Sequence, residues 1–146
     1  MKTLKLTALL LLSMMLSACS FLEEVNTSLD YANTATEHIN NLTAFAEEAP
    51  QLVENALNNP EILLELENKV LTLKQDVEEF IALQDIPTIA EELHQELVVQ
   101  NEQLLQEIHK LLENGHLALD KLESSQLFTT ISEVTNLLNR IDSLTQ

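Results

Sequence analysis

The chain has 146 residues, a formal net charge of −17, one cysteine, one glycine, three prolines and no tryptophan. That acidity excludes the basic surface needed to hold nucleic acid or anionic lipid headgroups, and a lone cysteine excludes an internal disulfide. Abundant Leu, Glu, Gln, Asn and Ala with almost no glycine favour helix over sheet.

The first twenty residues carry Lys2 and Lys5, an apolar run from Leu6 to Leu16, and the tetrapeptide Leu16-Ser17-Ala18-Cys19. A basic start, an apolar middle and small residues before a cleavage point are the parts of a secretory signal. At about 1.5 Å per helical residue the run falls well short of the roughly 30 Å hydrocarbon core, so it reads as a signal core and not as a permanent span. The tetrapeptide resembles a bacterial lipobox. The resemblance implies that diacylglycerol is attached to the Cys19 thiol, that a peptidase whose narrow site suits Ser17 and Ala18 cuts before it, and that the mature protein begins at lipidated Cys19. Buried acyl methylenes contribute about 0.8 kcal/mol each, and two chains suffice for stable anchoring.

The expected organisation is therefore a cleaved signal peptide over 1–18, a lipidated cysteine and tether over 19–22, and one helical domain over 23–146. All 24 acidic residues follow Cys19 while two of the seven basic ones precede it, so the processed protein is more acidic still. Such a face keeps the domain solvated and off the bilayer.

A first helix is predicted from near Glu23, with Val25, Leu29, Ala32, Thr36, Ile39, Leu42 and Ala46 as its buried stripe. Pro50, suited to a first turn, predicts a break near Ala49 and then a shorter piece with Leu52, Val53, Ala56 and Leu57. Asn58-Asn59-Pro60 is the clearest punctuation, with Asn59 as N-cap, Pro60 at N1 and Glu61 favourable to the helix dipole. The helix it starts buries Ile62 or Leu63, then Leu66, Val70, Leu73, Val77, Phe80 and Ile81, and ends near Gln84.

After the turn Asp85-Ile86-Pro87, Thr88 and Glu91 have the spacing of a capping box. The third helix presents Leu93, Leu97, Asn101, Leu104, Ile108 and Leu111, with Gly115 as its C′ residue. A short segment over 116–123 crosses over, and Ser124 or Ser125 caps a last helix carrying Leu127, Ile131, Val134, Leu138, Ile141 and Leu144. Three to four long helices with short loops make an all-α, antiparallel up-down bundle plus a crossover segment. The expected domain is a monomer.

Chemistry is sparse. Glu91 and His94 have the Glu-x-x-His spacing of di-iron bundles, but the other match, Glu113 to His116, runs through the predicted helix stop, and His109 and His38 lack the partner glutamate. No metal or cofactor is therefore expected, and the histidines read as surface or boundary residues. No motif unites a nucleophile, a base and an orienting group, so no enzyme is expected. Asn101 is the oddest residue, since it falls in an apolar stripe where a polar group costs stability unless bonded. Three readings are open: a register-setting contact, a polar groove lining, or a side chain rotated to the boundary.

The lipobox, the Asn-rich first helix over 26–41, Asn59-Pro60, Lys74-Gln75-Asp76 to Phe80, and Ile89-Ala90-Glu91 leading to His94 together resemble a family of small lipoproteins from Bacillus-type Gram-positive bacteria, classed as a domain of unknown function. The resemblance implies the extracytoplasmic face of the cell membrane and supplies no activity. The expected function is a membrane-anchored, non-enzymatic module that binds or spaces a protein partner; the alternative is a binding protein for a cation or small cationic ligand.

Overall fold

The computed structural model describes residues 2–122 and 125–145, with backbone alone for 2–24, Glu113 and Thr145. It is all-helical apart from one small hairpin. Helix α1 spans Lys2–Ala56, α2 Pro60–Ile81 and α3 Glu91–Leu111; α4 (Leu119–Leu122), α5 (Leu127–Thr135) and α6 (Leu138–Asp142) follow. The backbone is helical through 19–22, the stretch expected as a tether.

Each long helix packs against its neighbours in a closed ring, α1 on α2, α2 on α3, α3 on α5 and α5 on α1, with α6 also on α1. Helices α1 and α3 thus face each other across the centre and run in the same direction, because α2 between them runs antiparallel. The core is a continuous set of aliphatic and aromatic side chains, among them Ile39, Leu42, Leu66, Leu97, Leu104, Ile108, Leu127 and Ile131.

The break expected near Ala49 is absent: α1 continues through Pro50. Pro50, which has no N–H to offer the Ala46 carbonyl, is exposed, while Ala49 and Ala56 are buried on an adjacent face about a third of a turn away. The stripe of α1 is also rotated from its expected position. Val25 and Leu29 are 40% and 41% exposed, whereas Tyr31, Ala32, Ala35, Ile39, Leu42, Phe45 and Ala49 are buried. At about 100° per residue, Leu29 lies more than a quarter turn from the centre of that face.

Helix α2 starts as its sequence dictates. Asn59 is extended (φ −136°, ψ 104°) and its Oδ1 accepts from the Glu61 N–H at 3.0 Å, with Pro60 in the first turn. Leu66, Val70, Leu73, Val77 and Phe80 are buried at alternating four and three residue steps, and Ile62, Leu63 and Ile81 pack partly against them. The capping box does not form: residues Thr88–Ala90 make a single 3-10 turn, and Ala90, with no side-chain cap bond, precedes α3.

Gly115 is not the C′ residue of α3. Strands β1 (Leu112–Glu113) and β2 (His116–Leu117) pair antiparallel around Asn114 and Gly115, whose φ values are 53° and 86°. Both central residues at positive φ make this the Asn-Gly hairpin turn, in which glycine is free of the Cβ penalty. Glu67 of α2 fastens the hairpin: its Oε2 accepts from the Leu117 N–H at 2.9 Å and its Oε1 lies 3.3 Å from His116 Nδ1. The Leu117 bond, then His116, hold the Glu67 carboxyl below the usual carboxylate range.

The last helix is two pieces and not one, divided at Asn136 and Leu137 between α5 and α6, with a 3-10 turn over Ser143–Thr145. Ile131, Val134 and Ile141 are buried as expected, while Leu138 and Leu144 are half-buried. Ser125 is not the N-cap of α5: that position is Gln126, with no side-chain cap bond, and Ser125 one residue earlier accepts from the Leu127 N–H at 3.4 Å; Ser124 lies outside the described residues.

Candidate functional site

Two features stand out: a polar cluster in the bundle interior and a groove on its α1–α2 face. The cluster is built from Tyr31 and His38 on α1, Phe80 on α2, and His94 and Asn101 on α3. His38 Nε2 lies 2.8 Å from Asn101 Oδ1, and Asn101 Nδ2 donates to the Leu97 carbonyl at 2.9 Å. Since the amide nitrogen is committed to Leu97, its oxygen accepts, so His38 carries its proton on Nε2. Seven residues earlier on both helices, Tyr31 Oη and His94 Nδ1 stand 3.3 Å apart. Both pairs are separated by 63 residues, a constant offset over two turns that fixes α1 and α3 in one parallel register.

Phe80 enters between these pairs. Its ring stacks on His38 at 4.3 Å and 10°, and meets His94 at 5.6 Å and 52°. Asn101 is fully buried, so of its three open readings the structure gives the register-setting contact and overturns rotation to the boundary. His38 and His94 are likewise buried, against the surface or boundary position expected from sequence, whereas His109 and His116 are exposed. His94 turns inward and Glu91 is exposed, so the Glu-x-x-His pair does not converge. Among the described residues no group of three or more His, Cys, Asp or Glu side chains is placed to hold a metal ion.

Burial pushes the His38 pKa down, partly offset by the Asn101 bond and the Asp76 charge; burial also lowers His94 and raises Tyr31 to about 12. Both histidines are therefore favoured neutral in the fold. A lowered native pKa means that the unfolded chain binds more protons, so stability is present above the unfolded value near 6.5 and is lost as pH falls below it toward the native values. Chemical denaturation between pH 7.5 and 5 should show stability falling, with a slope of at most about 1.4 kcal/mol per pH unit for each histidine. His38→Gln should flatten that slope. An unchanged slope in this variant would mean that His38 does not titrate between the two states.

The groove lies between α1 and α2. One cleft of about 890 Å³ has Ala44, Phe45 and Leu73 among its walls with Glu48, Glu61, Glu65 and Asp76. A second, of about 260 Å³, shares Asn41 and Asp76 with the first and adds Glu37, His38 and Glu79. Asn41 Nδ2 donates to Asp76 Oδ2 at 3.0 Å where the two meet. Lys69 is the cation of the larger cleft and bonds Glu48 at 2.7 Å, across the helices and not to Glu65 on its own helix.

The lipobox residues Leu16, Ser17, Ala18 and Cys19 lie outside the described side chains. Among the described residues, no helix is long and apolar enough to cross a membrane.

The fold and these features define a small, acidic helical-bundle protein held in register by a buried polar cross-link. Residues 31–144, which begin at the first member of that cross-link, match the model of a family of unknown function, DUF6376, and the chain belongs to this family. It is 32% identical over 129 residues to the uncharacterized lipoprotein YybP of Bacillus subtilis (strain 168), with 86% of each chain covered. No solved structure matches. The sequence resemblance to small, functionally uncharacterised Bacillus-type lipoproteins is thereby established.

Proposed function

We propose that the protein is anchored by lipid on Cys19 at the extracytoplasmic face of the cell membrane and works there as a non-enzymatic module that binds or spaces a protein partner. The observation that carries the anchor is Leu16-Ser17-Ala18-Cys19 at the end of an apolar run too short to span; the name of the Bacillus subtilis relative supports it. Protein binding is supported by large apolar side chains left in water on the bundle, notably Leu64 at 59%, Ile89 at 60% and Val99 at 51%. The second reading, a site for a cation or small cationic ligand, is favoured by the carboxylates along the α1–α2 groove.

Photo-crosslinking residues placed singly at Leu64, Ile89 and Val99 in living cells test the module. A discrete adduct with an envelope protein is expected from one face and not from the others. Folded, anchored protein that gives no adduct from any of the three positions would remove the partner reading.

A further inference from the structure

We infer that the α1–α2 groove docks a basic amphipathic helix, supplied by the partner, with its apolar face on Phe45, Leu64 and Leu73 and its lysines or arginines against the flanking carboxylates. This rests on the protein-binding reading and names the chemistry of its partner. The shape comes first. Two packed helices offer a long trough, and along α2 the carboxylates from Glu61 to Glu79 extend over about 27 Å at 1.5 Å per residue, which is the length of an approximately 18-residue helix.

The lining then selects the occupant. Leu73 and Phe45 are nearly buried at the base, while Leu64 stays 59% exposed, so an apolar contact remains to be made. A helix meeting such a trough presents anchors at three and four residue steps. Six carboxylates, Glu37, Glu48, Glu61, Glu65, Asp76 and Glu79, line the two clefts, against the single cation Lys69, which is already bonded to Glu48. An acidic or neutral helix, or a second copy of this chain with its charge of −17, would be repelled; a basic one is drawn in and oriented.

The test uses the full lipoprotein in phosphatidylcholine nanodiscs, which carry no net charge, with empty nanodiscs as the blank. The probe is a fluorescein-labelled leucine-lysine amphipathic peptide of about 18 residues, read by anisotropy at about 0.15 M salt, where screening beyond about 8 Å suppresses bulk attraction. Saturable binding is expected. The triple variant Glu61→Gln, Glu65→Gln, Asp76→Asn should weaken it at least about tenfold, equivalent to about 1.4 kcal/mol, and Leu64→Ser should weaken it severalfold.

A triple of equal charge change on α3, Glu91→Gln, Glu92→Gln, Glu102→Gln, should alter it less than about twofold, since these exposed residues lie outside the groove. Equal weakening by both triples would overturn the inference in favour of bulk charge. Spermidine that displaces the peptide and binds Leu64→Ser as tightly as wild type would overturn it in favour of a small cation. Lost peptide binding alongside cellular adducts from Ile89 or Val99 would overturn the groove and leave the protein-binding reading standing; lost binding with no adduct from any face would end both.

Discussion

Replacing Cys19 by alanine is expected to abolish incorporation of labelled palmitate and to leave the protein as a larger precursor. Lipid transfer needs a thiol because the product is a thioether, and Cys19 is the only thiol in the chain, so no neighbouring residue can substitute for it. The effect is all or none. It should also redistribute the protein, since two acyl chains give stable anchoring where an eleven-residue apolar run alone does not span the bilayer. Electrophoresis of labelled cells, with membrane and soluble fractions compared, reads both consequences. Normal cleavage and continued membrane residence of Cys19→Ala would contradict the lipobox reading.

The second large effect is expected in the core of α3. Leu97 and Leu104 are fully buried and flank Asn101 at four and three residues. Leu97→Ala or Leu104→Ala should each cost about 2–5 kcal/mol, the transfer of the lost methylenes plus the cavity left behind. Asn101→Ala should cost about 1–3 kcal/mol by a different route, because it strands the His38 Nε2–H in a buried site. Val99→Ala, at a position 51% exposed, should fall within about 0.5 kcal/mol. Urea unfolding of the domain from Ser20 onward, followed by far-ultraviolet circular dichroism, measures all four. Equal effects at Leu104 and Val99 would contradict the bundle packing.

Much of this architecture is legible in the residues. The Asn59-Pro60 start of α2 and the stripe Leu93, Leu97, Asn101, Leu104, Ile108, Leu111 of α3 are local signals, and the buried residues on α3 follow them. The face of α1 is less legible because an aliphatic-weighted pattern favours Val25 and Leu29, while the core, besides the expected Ala32, Ile39 and Leu42, uses Tyr31, Ala35 and Phe45. The Asn114-Gly115 pair is a strong hairpin signal that is overridden when the same glycine is read as a helix stop.

The polar cluster is harder, since no single helix reveals it. A clue is present nevertheless: His94 lies seven residues before Asn101 and Tyr31 seven before His38, each pair on one face of its helix. The partnership across the bundle is long-range and becomes visible only once α1 and α3 are laid parallel. Groove geometry is less accessible still, because it depends on how two helices pack and not on the composition of either.

The ring of helices also has a consequence in time. Helices α1, α2 and α3 pack as consecutive neighbours, but the ring closes by bringing α5 back to α1, where Phe45 and Phe128 stack at 6.4 Å from more than half the chain apart. A chain delivered from its N-terminus can assemble the first three helices before the last arrives, whereas this closure bears a larger loop entropy than the contacts between consecutive helices and forms late. Until α5 arrives, the flank of α1 that Phe45 occupies stands bare. If the chain is exported as proposed, its exposure to proteases lasts until α5 has been delivered, and truncation before Leu127 should shorten the protein's lifetime, read by pulse-chase against the full chain.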